Sequence, residues 1–216
     1  MQIWLDTADI EEIREAARYG VISGVTTNPS LAAKAGHLDL RAAILEICSL
    51  VDGPVNAEVL SLNAQEMIEE GREIATWASN VVVKVPIGEE GLQAISVLSS
   101  EGITVNQTLT FSVNQALLGA LAGATYISPF VGRLDDAGND GMTRVADMVK
   151  VFKAQDLDAK VLAASLRHPP HVVQAALAGA HVATLPYKVF KQMFQHPLTD
   201  VGLKRFIDDW RGLVRV

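Results

Sequence analysis

A chain of 216 residues, 49% hydrophobic and 20% charged, carries enough apolar material for one large α/β core or two small ones, and its composition excludes a disordered chain. The net charge of −7 argues against duplex nucleic acid or an anionic membrane as a principal partner, while a local group of arginines can still bind a small anion. The one cysteine, Cys48, excludes an intrachain disulfide and points to a cytosolic setting; within ILEICSL it reads as a small core hydrophobe.

The N-terminus, MQIWLDTADIEE, has no basic region and turns acidic by Asp6, unlike a secretory signal. QIWLD has strand length, and Ile10, Ile13 and Ala17 after it have helical spacing. Thr7 is the expected N-cap, with Asp9, Glu11 and Glu12 suited to the positive end of that helix. Further strand-length runs follow in ISGVTTN, VNAEVL, VVVKVP, ITVNQT, TYISPF, KVLAAS and HVATLP, each closed by a turn, a cap or a polar residue. Between them, Met67, Ile68 and Ile74, and then Ala94, Ile95 and Leu98, repeat with helical period. The apolar run from Ala116 to Ala124 is well short of the ~20 residues of a membrane span. His168, followed by Pro169 and Pro170, opens the seventh helix, where proline suits the first turn.

Eight strand signals alternating with helices predict a parallel sheet covered by helices, and so a single (β/α)8 barrel over residues 1–216, compact against the usual ~250 residues. The alternative is a doubly wound open sheet, which uses fewer strands and a glycine-rich first turn; LDTADI contains no glycine. No linker or charge block divides the chain. After the eighth unit, residues 199–216 carry Val201, Leu203, Phe206, Ile207 and Trp210 at near-helical spacing. They predict one more helix, which needs a surface on this barrel or on a neighbouring subunit.

Barrel chemistry gathers at the C-terminal ends of the strands. The polar residues closing the runs there are Asp6, Thr26, Asn28, Glu58, Lys84, Asn106, Thr108, Ser128 with Arg133, and Ser165 with Arg167. Asp6 and Asn28 read equally as helix caps, Ser165 as a turn residue and Arg167 as a solvated charge. Lys84 stands apart. Among apolar neighbours its amine is expected to lose charge by desolvation and to become a nucleophile able to form a Schiff base with a ketone; alternatively its stem lines the sheet while its head reaches water. No His, Cys, Asp and Glu spacing resembles a metal site, and Trp4, Trp77 and Trp210 are too scattered to form a nucleic-acid stacking groove.

The segments LDTADI, GVTTNPSL, NAEVLSL, VVVKVP, ISPFVGRLDD and ASLRHP, in this order, resemble the small single-domain transaldolase family, which also contains fructose-6-phosphate aldolases. The likeness runs from Gln2 to HPLTDVGLKRFIDDW. It implies a class I aldolase on a (β/α)8 barrel, with no metal or organic cofactor, assembled as a homo-pentamer or homo-decamer in which the C-terminal helix contacts a neighbour. By the same resemblance Lys84 is the Schiff-base lysine and Asp6 the carboxylate exchanging a proton with the C4 hydroxyl. Glu58 and Thr108 hold a catalytic water, and Asn28, Asn106 and Ser128 bind the dihydroxyacetone unit. Arg133 and Arg167 bind phosphate, with Ser165 close by and Thr26 in the binding set. The implied activity is transfer of dihydroxyacetone from sedoheptulose 7-phosphate or fructose 6-phosphate to glyceraldehyde 3-phosphate or erythrose 4-phosphate, in the non-oxidative pentose phosphate pathway of the cytoplasm. The family's aldolases, which release free dihydroxyacetone, resemble one another in having glutamine at the position of Glu58 and tyrosine at that of Phe130, so both positions follow the transaldolase pattern. Gln107 departs from the family's usual apolar residue; strand alternation points it away from the barrel centre.

Overall fold

The computed structural model describes residues 1–213, so residues 214–216 of the expected last helix lie outside the described residues. Eight strands form the barrel: β1 Gln2–Asp6, β2 Ile22–Thr26, β3 Val55–Glu58, β4 Val81–Pro86, β5 Val105–Thr110, β6 Tyr126–Pro129, β7 Lys160–Ala163 and β8 Val182–Leu185. They pair in sequence order, every pair parallel, and β8 closes on β1. A closed (β/α)8 barrel is therefore the fold, and the open-sheet alternative falls because β1 has neighbours on both sides.

Around it run α1 Ile10–Ala17, α2 Pro29–Lys34, α3 Leu40–Leu50, α4 Ala64–Ala75, α5 Glu89–Ser100, α6 Val113–Leu121, α7 Val131–Asp136, α8 Gly141–Ala154, α9 Pro169–Leu177, α10 Tyr187–Gln192 and α11 Pro197–Leu213. The expected cap of α1 is corrected: Asp9, not Thr7, accepts from the N–H groups of Glu11 and Glu12, at 2.9 and 3.1 Å. Thr7 stands two residues too early. Its hydroxyl accepts from the Asp9 N–H and donates to Glu12 Oε2 instead, a local turn ahead of the helix. His168 does precede α9, with Pro169 in the first turn.

Two apolar layers hold the barrel. The outer one lies between sheet and helices and includes Ile13, Met67, Ile68, Ile74, Ala94, Ile95 and Leu98, the periodic positions of their helices; Cys48 packs partly against it, and burial pushes its thiol up to about 11. The inner layer comprises Trp4, Val82, Tyr126, Leu162, Ala164 and Val182, with Trp4 edge-on to Tyr126 at 5.1 Å between centroids. Gly24 makes room for the indole: a Cβ there would stand 2.6 Å from Trp4 Cε2. Because side chains alternate along a strand, this inner layer leaves the next inward positions, Asp6, Thr26, Lys84 and Ser128 among them, to form a polar layer nearer the strand ends. Helix α11 differs from the rest in having no buried residue. Among the described residues no helix is long and apolar enough to cross a membrane.

Candidate active site

The polar layer opens into a pocket at the C-terminal mouth of the barrel. Of the residues singled out in the sequence, Asp6, Thr26, Asn28, Lys84, Ser128, Phe130, Arg133 and Ser165 line it. Glu58, Asn106, Thr108 and Arg167 do not line it, although Glu58 and Asn106 touch residues that do.

Strand register sets Glu58, Lys84 and Asn106 side by side on three successive strands. Lys84 is 4% exposed, so its head does not reach bulk water. Its Nζ stands 3.0 Å from Glu58 Oε2 and donates to the Thr27 carbonyl, also at 3.0 Å. The hydrocarbon surround expected from the VVVKVP strand is thus corrected: the flanking valines Val83 and Val85 alternate outward into the outer core, while the lysine points inward to oxygen acceptors supplied by β3 and the end of β2.

Asp6 accepts from the Thr26 hydroxyl at 2.7 Å, and the Thr184 hydroxyl lies 2.7 Å from that of Thr26. With Thr26 donating to Asp6, Thr184 donates to Thr26, so the chain of hydroxyls is oriented toward the carboxylate. Burial pushes the Asp6 carboxyl above its ordinary value, against the opposing pulls of Lys84, the Thr26 hydrogen bond and Arg133. A second polar chain crosses the opposite side of the interior. Ser128 Oγ donates to Asn106 Oδ1 at 2.7 Å, Asn106 Nδ2 donates to Asn56 Oδ1 at 2.6 Å, and Asn56 Nδ2 donates to the Val25 carbonyl. This holds the Asn106 amide in one orientation. Thr108 Oγ1 is buried without a protein hydrogen-bond partner, leaving its donor and acceptor capacity unused by the fold.

Asn28 fulfils both of its sequence readings. Its Oδ1 caps α2 by accepting from the Leu31 N–H at 3.0 Å, while the residue also lines the pocket. On the far rim, the Arg133 guanidinium lies over the Phe130 ring at 4.9 Å, and Phe130 meets Phe111 edge to face. Ser165 has a left-handed backbone at φ 59°, a conformation a non-glycine residue adopts at a cost of order 1–3 kcal/mol. Its carbonyl is held by the Gly132 N–H at 3.0 Å. Arg167 packs across Gly132, where any Cβ would collide with its Nε, and its Nη2 donates to Asp136 at 2.6 Å. Arg167 is therefore anchored beside the rim, with its guanidinium turned to α7.

The sequence reading missed Asn56 and Thr184. The signal that finds them is the period of two: Asn56 lies two residues before Glu58, and Thr184 is the inward polar residue of an otherwise apolar β8. Gln107 points outward as expected, donating from Nε2 to Thr110 Oγ1 and to the Gln115 carbonyl. Among the described residues no three His, Cys, Asp or Glu side chains gather as a metal-binding group.

Residues 3–215 match the family model described as transaldolase/fructose-6-phosphate aldolase. The chain is 57% identical to a protein of Herpetosiphon aurantiacus named "Probable transaldolase", over 98% of this chain and 95% of that protein. It is 58% identical to a probable transaldolase of Roseiflexus castenholzii over 98% of each, and 56% identical to one of Dehalococcoides mccartyi over 99% of each. In fold alone it resembles inosine 5′-monophosphate dehydrogenase of Legionella pneumophila, with a TM-score of 0.60 at 11% identity over 87% of this chain and 58% of the other.

Proposed function

The chain belongs to the transaldolase/fructose-6-phosphate aldolase family and is an enzyme of the transaldolase type, and on that basis we propose that it moves a dihydroxyacetone unit from sedoheptulose 7-phosphate or fructose 6-phosphate to glyceraldehyde 3-phosphate or erythrose 4-phosphate through a Schiff base on Lys84. The reading includes a place in the cytoplasmic, non-oxidative pentose phosphate pathway. The observation that carries it is the enclosed Lys84 amine, 3.0 Å from Glu58 Oε2, in a pocket it shares with Asp6 and Arg133.

Glu58 is close enough to take the proton that Lys84 must shed before its lone pair attacks the ketose C2. The carbinolamine then loses its oxygen as water. Glu58 and the Thr108 hydroxyl, free of protein partners, are suited to relay the protons of that step through a bound water. The iminium draws electrons from the C3–C4 bond as Asp6 accepts the C4 hydroxyl proton. Its raised affinity for that proton suits a group that must later return it. The aldose phosphate leaves, and an enamine of the dihydroxyacetone unit remains on Lys84. Asn28, Ser128 and the Asn106 amide fixed between Ser128 and Asn56 are suited to hold its hydroxyls until an acceptor aldehyde arrives and the steps reverse. Arg133 and Arg167 are the phosphate ligands of both sugars, guanidiniums being matched to phosphate in shape and charge. Thr26 orients Asp6, Ser165 shapes the phosphate rim, and Phe130 forms the apolar wall between Arg133 and the reacting carbons.

The test is to incubate the protein with fructose 6-phosphate, with and without erythrose 4-phosphate, alongside Lys84→Met. Glyceraldehyde 3-phosphate should form only with the acceptor, and the variant should lose activity by a factor of about 10⁴ or more, as for removal of a covalent nucleophile. Free dihydroxyacetone released without acceptor would make the protein an aldolase, and an active variant would remove Lys84 from the mechanism. The assembly proposed is a homo-pentamer or homo-decamer in which α11 contacts a neighbour, supported by the absence of any buried residue on α11.

A further inference from the structure

Behind the phosphate rim lies a titratable residue with no part in the chemistry above. His171, in the first turns of α9, is only 8% exposed. Its Nδ1 accepts a hydrogen bond from the backbone N–H of Arg167 at 3.3 Å. An Nδ1 that accepts leaves the ring proton on Nε2, and Nε2 faces Asp135 Oδ2 at 3.4 Å. The other oxygen of Asp135 accepts from the Gly141 N–H at 2.9 Å, fastening that carboxylate at the start of α8. The His168 ring covers His171 at 3.7 Å between centroids. The next residue of α7, Asp136, holds the Arg167 guanidinium. Arg167 is thus gripped twice from neighbouring positions on one short helix: by its side chain through Asp136, and by its backbone through His171 and Asp135.

We propose that His171, oriented by Asp135, is a positioning residue for anion binding: it fixes the backbone of Arg167 and so the place of this guanidinium beside the rim, from which it serves the phosphate of the sugar. The inference rests on the reading of Arg133 and Arg167 as phosphate ligands. Ser165, two residues before Arg167, is in the left-handed region, so the segment between β7 and α9 is held in a form it would not adopt unaided. Its fixed points on α7 are the N–H groups of Val131 and Gly132, bonded to the Ala164 and Ser165 carbonyls; His171 supplies the one on the α9 side. Without an acceptor there, the Arg167 N–H is left unpaired and the segment is free to relax toward ordinary backbone geometry, moving the arginine.

Three variants separate this from packing. Asn at position 171 keeps an acceptor near the site of Nδ1; Gln keeps bulk and polarity but places its amide near Nε2; Leu keeps bulk alone. Binding of inorganic phosphate to the full chain, measured by calorimetry, should weaken about five- to tenfold in His171→Gln and His171→Leu, the scale of one lost buried hydrogen bond, and should stay close to wild type in His171→Asn. With fructose 6-phosphate as donor, the Gln variant should raise KM while kcat is retained, because ground state and transition state lose the same phosphate contact. Melting temperatures identify any variant that fails by unfolding. Normal phosphate affinity in folded His171→Gln and His171→Leu overturns the proposal, as does equal loss in all three variants, which would mean that ring packing alone matters. Phosphate binding that ignores Arg133→Ala and Arg167→Ala overturns this proposal together with the assignment of the phosphate ligands. Turnover that survives Lys84→Met overturns the Schiff-base mechanism and leaves the phosphate result standing.

Discussion

Asp6 shows what the site costs the fold. Burial raises its carboxyl above the ordinary value, so between the unfolded value near 3.8 and the higher folded value the native chain holds more protons than the unfolded one. Stability contributed by this group therefore falls as pH rises through that window and stays reduced above it. Asp6→Asn keeps an acceptor for the Thr26 hydroxyl and removes the charge, so the variant should melt higher than the wild type at pH 7, with the difference shrinking as pH falls toward 3.8. For a chain of this size each kcal/mol recovered appears as roughly 2–4 °C in Tm. The same variant should lose most of its transfer activity, since an amide cannot take the C4 proton. A lower Tm at pH 7 would show that the Asp6–Lys84 attraction outweighs desolvation. The residues of the site are legible in the sequence to the degree that their chemistry is conspicuous at a strand end. Asp6, Lys84 and Arg133 are, whereas Asn56 and Thr184 lie one pleat deeper and look like ordinary strand residues. The Lys84–Glu58 pair is legible from neither segment alone, because it depends on the register of β3 against β4.

At the scale of elements, the strand runs were readable because each is apolar and bounded by turn or cap residues, and all eight coincide with observed strands. The short helices α2 and α7, six residues each, were not, since a turn and a half is too brief to show a period. Both begin at the strand ends where Asn28 and Arg133 enter the site. Helix α6 offers a packing test of the unusual Gln107. This side chain leaves β5 outward, donates to Thr110 and Gln115, and fills the space over Gly119, where an added Cβ would collide with its Oε1. Leu109, between Gln107 and Thr110, has φ 56° where the β5–β6 register shifts, so the two hydrogen bonds also brace an irregular strand. Gly119→Ala should destabilise the protein by about 1–3 kcal/mol through overpacking, despite the helix propensity of alanine. In a Gln107→Val background the same change should be neutral or stabilising. Denaturant unfolding of the four proteins gives the coupling; additive effects would mean that the amide swings away freely and that Gln107 does not brace the bulge.

For the molecule as a whole, the proposed assembly turns on α11. Leu203, Phe206, Ile207, Trp210 and Leu213 recur at spacings that place them along one stripe of the helix, and they are 60%, 71%, 42%, 67% and 72% exposed, respectively. Lys204, Arg205, Asp208 and Arg211 take other faces, so the helix is amphipathic with its apolar side uncovered. Full burial of side chains of this kind contributes about 1.5–3 kcal/mol each, and a monomer rarely leaves so large a continuous apolar patch in water. The barrel is already closed, and each of the other helices buries residues while α11 buries none, so among the described residues the stripe is not part of the single-chain core. A neighbouring copy can cover the stripe with a different part of its own surface, and such a head-to-tail contact, repeated from copy to copy, closes into a ring. On the homo-pentamer or homo-decamer proposed from the family resemblance, sedimentation velocity of the full chain should give a particle of five or ten subunits. Phe206→Asp combined with Trp210→Glu should shift it to smaller species, with the melting temperature of the isolated barrel little changed because neither side chain is buried in the single chain. A monomeric wild type, or a double variant that keeps the full particle size, would show that α11 does not make the assembly contact.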